Sequence, residues 1–104
     1  MVYVVILQQK PHDPEKYAEY VRQVVPSIMK FGGTVAAADN EPNVVEGKVV
    51  AQRTVILTFP SEERVFQWYH SPEYKAIMPL RTESIKSDIF IVHGISDTAS
   101  ATIH

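Results

Sequence analysis

The 104 residues carry ten Lys and Arg against twelve Asp and Glu, a net charge of −2 split evenly between the two halves. No basic patch follows from that balance, which argues against a nucleic-acid binder. The 45% hydrophobic share is that of one folded domain with a real core, not of a disordered chain. With no cysteine, disulfides, thiolate nucleophiles, zinc–thiolate sites and Cys-held iron–sulfur clusters are excluded.

The apolar opening, Met1 to Leu7, has no basic segment before it and is cut short by Gln8-Gln9-Lys10. It is too short for a signal peptide core or a membrane span, so a cytoplasmic protein without membrane contact is expected. Residues 2–9 are β-branched and aromatic without a helical period and read as a first strand. Asp13-Pro14-Glu15 then starts a helix, with a capping carboxylate, a proline suited to the first turn and an acid at the positive dipole end. Tyr17, Tyr20, Val21, Val24, Val25 and Ile28 follow at helical spacing; Pro26 should kink the helix and Gly32-Gly33 should end it.

A short strand is expected over 34–39, then a polar turn cluster at 39–43, then a long strand over 49–59 stopped by Pro60. Ser61 with Glu62 and Glu63 starts a second helix through Val65, Phe66, Trp68 and Tyr69. Ser71-Pro72 interrupts it. A further helical piece places Tyr74, Ile77, Met78, Arg81 and Ile85 on one face, with Pro79 distorting it. The last strand spans 88–94. The order β-α-β-β-α-β defines an α+β, ferredoxin-like plan, with helices on one face of a four-stranded antiparallel sheet. Residues 1–95 form the single domain and 96–104 a polar C-terminal tail.

The strands are apolar on both faces. Val2, Val4 and Ile6 alternate with Tyr3, Val5 and Leu7, and Ile89 and Ile91 with Phe90 and Val92. An antiparallel sheet with one wet face should be polar there, so the expected partner is a second copy packed sheet on sheet.

Alternation along 49–59 puts Arg53 with Val55, Leu57 and Phe59 on the apolar face, and Arg81 repeats the anomaly on the last helical stripe. Inward guanidinium groups either pair with internal acids, for which Glu46 and Glu62 are candidates, or hold a bound carboxylate, phosphate or enolate. Tyr17, Tyr20, Trp68, Tyr69 and Tyr74 read first as core or pocket wall. Tyr20, His70 and Tyr74 are the candidates for acid or hydrogen-bond donor. No histidine pair has helical ligand spacing, so no metal site is expected. A G-x-S-x-G elbow, a P-loop, a Rossmann fingerprint and the paired acids of a glycosidase are all absent from the sequence.

Phe31-Gly32-Gly33, Glu46-Gly47, Arg53, Phe59-Pro60-Ser61, Trp68, Ser71-Pro72-Glu73-Tyr74 and Arg81 together resemble the domain of unknown function 1330 family, over nearly the whole stretch from Tyr3 to Gly94. The resemblance implies a ferredoxin-like protomer of the dimeric α+β barrel superfamily, paired sheet to sheet. That superfamily includes cofactor-free monooxygenases, muconolactone isomerases and haem-handling enzymes, usually with a pocket between sheet and helices. Nothing in the sequence prefers His70 or His93 as a haem ligand, and no cofactor is expected.

The reading is a homodimer with a pocket for a small anionic or enolisable organic molecule. Arg53, Trp68, Tyr74 and Arg81 are its expected ligand-binding residues. Cofactor-free isomerisation or oxygenation would suit such a site; the alternative is a non-catalytic binding or assembly module whose dimer is the functional unit.

Overall fold

In the computed structural model, which describes residues 1–50 and 52–95, seven elements follow one another. They are β1 (Val2–Gln8), α1 (Pro14–Lys30), β2 (Thr34–Asp39), β3 (Arg53–Phe59), α2 (Glu62–Tyr69), α3 (Pro72–Thr82) and β4 (Ser87–His93). The strands form one antiparallel sheet in the order β2-β3-β1-β4. This is the ferredoxin-like α+β plan, with its second helical unit split in two at Ser71-Pro72.

Each helix begins where the sequence supplies a cap. The side chains of Asp13, Ser61 and Ser71 accept hydrogen bonds from the backbone N–H of Lys16, Arg64 and Tyr74. Helix α1 continues through Pro26 and closes in a Schellman motif: Gly33 N–H donates to Ile28 O and Gly32 N–H to Met29 O, both at 3.0 Å. Gly32 takes the positive φ of +82° that this motif needs. Gly33 is required for a different reason, since a Cβ there would lie 2.6 Å from Ile28 Cγ2 and 2.7 Å from the Phe59 ring.

Two boundaries differ from expectation by more than one residue. Strand β3 begins at Arg53 rather than at 49, because its ladder partner β1 ends at Gln8, which pairs with Arg53. One further bond, Gln52 N–H to Gln8 O, extends that pairing before the chain turns through Gln9-Lys10-Pro11, where proline has no donor to offer. Helix α3 stops at Thr82, so Ile85 is buried from the following turn rather than from the helical stripe. The expected tail, 96–104, lies outside the described residues.

The helices cover one face of the sheet. Val2, Val4, Ile6, Val55, Leu57 and Phe59 point into the core against Tyr20, Val24, Ile28, Val65, Trp68, Tyr74 and Ile77. The opposite face is uncovered: Tyr3, Phe90 and Val92 are exposed, and Val5, Leu7 and Ile56 only half-buried. The chain measures only 16 Å along its shortest axis, as one helix layer on one sheet should. Residues 40–50 leave the sheet between β2 and β3 as an arm almost entirely exposed to solvent.

A candidate anion cleft and a buried arginine

The helix-facing side of the sheet ends on a polar rung. Gln8 pairs in register with Arg53 on one side and with Ser87 on the other, and Gln8 Nε2 donates to Ser87 Oγ at 3.2 Å. Tyr17, one turn into α1, bridges from above: its hydroxyl donates to Gln8 Oε1 at 2.7 Å and accepts from Arg53 Nε at 3.2 Å. The Arg53 guanidinium also lies 5.9 Å from the Tyr17 ring centre, within range of a cation–π contact. Its Nη1 donates to Asn40 Oδ1 at 2.6 Å, leaving Nη2 without a protein partner among the described residues.

These groups open into a cleft of about 620 Å³ between the start of α1, the β1–α1 turn and the two ends of the arm. Lys10 and Arg53 line it, with Tyr17, Asn40 and Gln52 as neutral polar groups and Pro11, Pro14, Ala18 and Val21 as apolar wall. Two cations therefore face one concavity that no carboxylate lines among the described residues. A planar guanidinium with a free edge beside an ammonium is suited to a carboxylate or enolate oxygen.

Arg81 has different surroundings. It is 6% exposed, on the buried face of α3, and its Nε donates to Tyr74 Oη at 3.1 Å. Tyr74, fully buried, shares a 2.9 Å hydrogen bond with Tyr20, and the Tyr20 ring stacks on Tyr17 at 6.0 Å between centres. A string of three tyrosines thus separates the two arginines. Among the described residues neither guanidinium forms an ion pair: the candidate partner Glu62 instead bonds His93 at 3.0 Å, and Glu46 is exposed on the arm.

Burial, together with the neighbouring Tyr74 oxygen, pushes the Tyr20 phenol well above its ordinary range. For Arg81, burial acts to lower the pKa, but the adjacent Tyr74, Tyr20 and Tyr69 oxygens outweigh it, and the guanidinium stays charged.

The other expected site residues lie apart from the cleft. Trp68 is buried against Tyr74, with ring centres 4.3 Å apart, and donates from Nε1 to Ser27 Oγ at 3.0 Å. It also borders a smaller apolar hollow of about 280 Å³ under α2 and the β4 edge. His70 caps α2 from an exposed position, stacked on Phe66. So the structure gathers Tyr20, Trp68, Tyr74 and Arg81 in one core cluster, puts Arg53 in the cleft, and leaves His70 outside both. Sequence reasoning missed Lys10, Asn40 and Gln8; the only available signal was strand register, which makes Gln8 and Arg53 neighbours once β1 and β3 are paired.

The chain belongs to the family described as Domain of unknown function (DUF1330), whose model matches residues 1–95. No curated protein matches it. Among solved structures it resembles RPA0582 of Rhodopseudomonas palustris, a protein of unknown function, at 18% identity and TM-score 0.72, covering 88% of this chain and 79% of that one. It also resembles Atu4242 of Agrobacterium tumefaciens, at 15% identity and TM-score 0.61, over 89% and 92% of the two chains. SnoaB of Streptomyces nogalater, a cofactor-independent oxygenase, aligns over 89% of this chain and 92% of its own at 6% identity and TM-score 0.60. At such identities the likeness establishes the shared fold and nothing of the chemistry. Among the described residues no helix is long and apolar enough to cross a membrane.

Proposed function

We propose that the protein binds a small organic anion, a carboxylate or enolate with a compact apolar body, in the cleft lined by Arg53 and Lys10. The observation that carries this reading is the pair of cations in one concavity without a facing acid among the described residues, one of them with an unused guanidinium nitrogen. Arg53 supplies the directional fork, Lys10 a mobile point charge, and Pro11, Pro14 and Val21 the apolar wall. The core cluster of Tyr20, Trp68, Tyr74 and Arg81 holds Tyr17 in place from behind. Two copies pair through the uncovered sheet face, so that the working unit carries two clefts.

Among the described residues the lining contains neither carboxylate nor imidazole, the side chains that most often serve as general base. Its chemistry is the stabilisation of negative charge on a substrate acidic enough to arrive ionised. Cofactor-free isomerisation or oxygenation of such an enolate fits that capacity, and SnoaB shows a cofactor-independent oxygenase on the same fold. The same lack of carboxylate and imidazole favours a second reading, a binding module that performs no chemistry.

A thermal-shift panel of benzoate, acetoacetate, phenols and quinones against wild type and Arg53→Gln tests the site. A ligand at about a hundred times its Kd stabilises by ~2.7 kcal/mol. Binding of a carboxylate or enolate by wild type, weakened about tenfold or more in a folded Arg53→Gln, is the expected result. Equal shifts in both proteins would remove the cleft as the site.

A further inference from the structure

The arm between β2 and β3 carries four valines that the protomer leaves exposed: Val44, Val45, Val49 and Val50, with Val45 at 99% and Val50 at 85% exposure. A single exposed valine needs no explanation, but four on one short excursion do. The arm does not stand free of the sheet. Lys48, Val49 and Val50 border a hollow of about 300 Å³ together with Leu7 and Asp88. Leu7 and Asp88 are paired in register and lie on the uncovered face. The uncovered face therefore runs on into the arm through a mixed border, with Leu7, Val49 and Val50 apolar and Lys48 and Asp88 charged.

The extent of the face makes this continuity matter. Four strands about 4.8 Å apart, each of about seven residues rising ~3.3 Å, give a plane of roughly 450 Å². Side-chain relief enlarges that figure, yet it leaves the face at the low end of the ~800 Å² per partner of a standard stable interface. The valines of the arm supply apolar area where the sheet runs out. Identical faces related by a two-fold axis are self-complementary, and an arm at the edge of one face then meets the edge of the other.

We infer that residues 43–50 are a clasp that seats on a second copy of this chain and completes the sheet-to-sheet interface. This rests on the pairing proposed above and adds a consequence for the cleft. The residues that flank the clasp on either side, Asn40 and Gln52, are cleft walls; Asn40 holds the Arg53 guanidinium, and Gln52 N–H is bonded to Gln8 O. Seating the clasp on the partner fixes both flanks, so dimerisation sets the geometry around Arg53.

Sedimentation velocity over a concentration series, on wild type and the double variant Val45→Asp/Val50→Asp, tests the clasp. Both side chains are solvent-exposed in the protomer, so the variant should fold, as its circular dichroism and Tm will show. The expected result is a wild-type dimer, a variant whose dimer dissociates at least tenfold more readily, and an Arg53 Nε–Hε NMR signal that moves in the variant. A wild-type dimer that the double substitution leaves unchanged would overturn the clasp while keeping the pairing. A wild type that stays monomeric at 100 µM, a concentration chosen well above that of a stable complex, would overturn the pairing itself. A weakened dimer with an unmoved Arg53 signal would overturn the link to the cleft.

Discussion

Arg53 and Arg81 looked alike in sequence, each a charge at an apolar position, and the structure separates them by their surroundings. Arg53 sits at the end of a strand, where the last rung of the sheet is polar and the guanidinium can reach an open cleft. Arg81 lies in mid-core with one tyrosine oxygen as its side-chain acceptor. Strand alternation made the first legible, and helical spacing the second. Neither pattern could show which arginine has room beside it for a ligand, because that depends on how α1 lies over the rung. Lys10 was illegible for a simpler reason: a lysine in a polar turn is ordinary until a cleft forms next to it.

The buried phenol pair gives a test at this scale. The folded-state pKa of Tyr20 is raised above its unfolded value of about 10, so the native state holds that proton more tightly. The stabilisation is fully present below pH 10 and is lost as pH rises beyond it, because the unfolded chain releases the proton first. The slope is about 1.4 kcal/mol per pH unit for one such group. Alkaline melting curves should therefore fall more steeply above pH 10 for wild type than for Tyr20→Phe. Parallel curves would show that Tyr20 is not the group involved.

At the scale of elements, most boundaries were written in local chemistry. Asp13-Pro14 and Ser61 cap α1 and α2 where expected, Ser71, read only as an interruption, caps α3, and Gly32-Gly33 closes α1. The start of β3 was not local: it depends on where β1 stops offering partners, and no property of residues 49–52 encodes that. The two glycines also divide their work in a way that sequence alone did not reveal. Gly32 is needed for its φ, Gly33 for the close approach of Ile28 and Phe59 to its backbone. Gly33→Ala should cost about 1–3 kcal/mol through overpacking, measured by urea unfolding. A cost of only a few tenths would mean that Ile28 and Phe59 move aside freely.

At the scale of the whole molecule, the two-sided apolarity of β1 and β4 was the most informative pattern in the sequence. Val2, Val4 and Ile6 found their cover in the helices, while Tyr3, Val5, Leu7, Phe90 and Val92 did not. The arm was legible only as a polar turn cluster followed by strand. Val49 and Val50 read as part of β3 while Val44 and Val45 stood unassigned before it, and the exposure of the first two emerges only once β3 is seen to begin at Arg53. If the uncovered face is where two copies meet, Phe90→Asp places a charge on it, midway along the edge strand β4, and should yield a folded monomer by light scattering. A dimer that tolerates this aspartate would pair elsewhere.

The measurement closest to the central claim is an arginine side-chain NMR titration. The chain has four arginines, Arg22, Arg53, Arg64 and Arg81, and ¹⁵N spectra of their Nε–Hε groups report each one separately. Addition of the anion found by the thermal-shift panel should move the Arg53 signal in a saturable way and leave Arg81 where it was. Saturable movement of Arg81 with Arg53 unmoved would place the ligand in the tyrosine core and contradict the cleft.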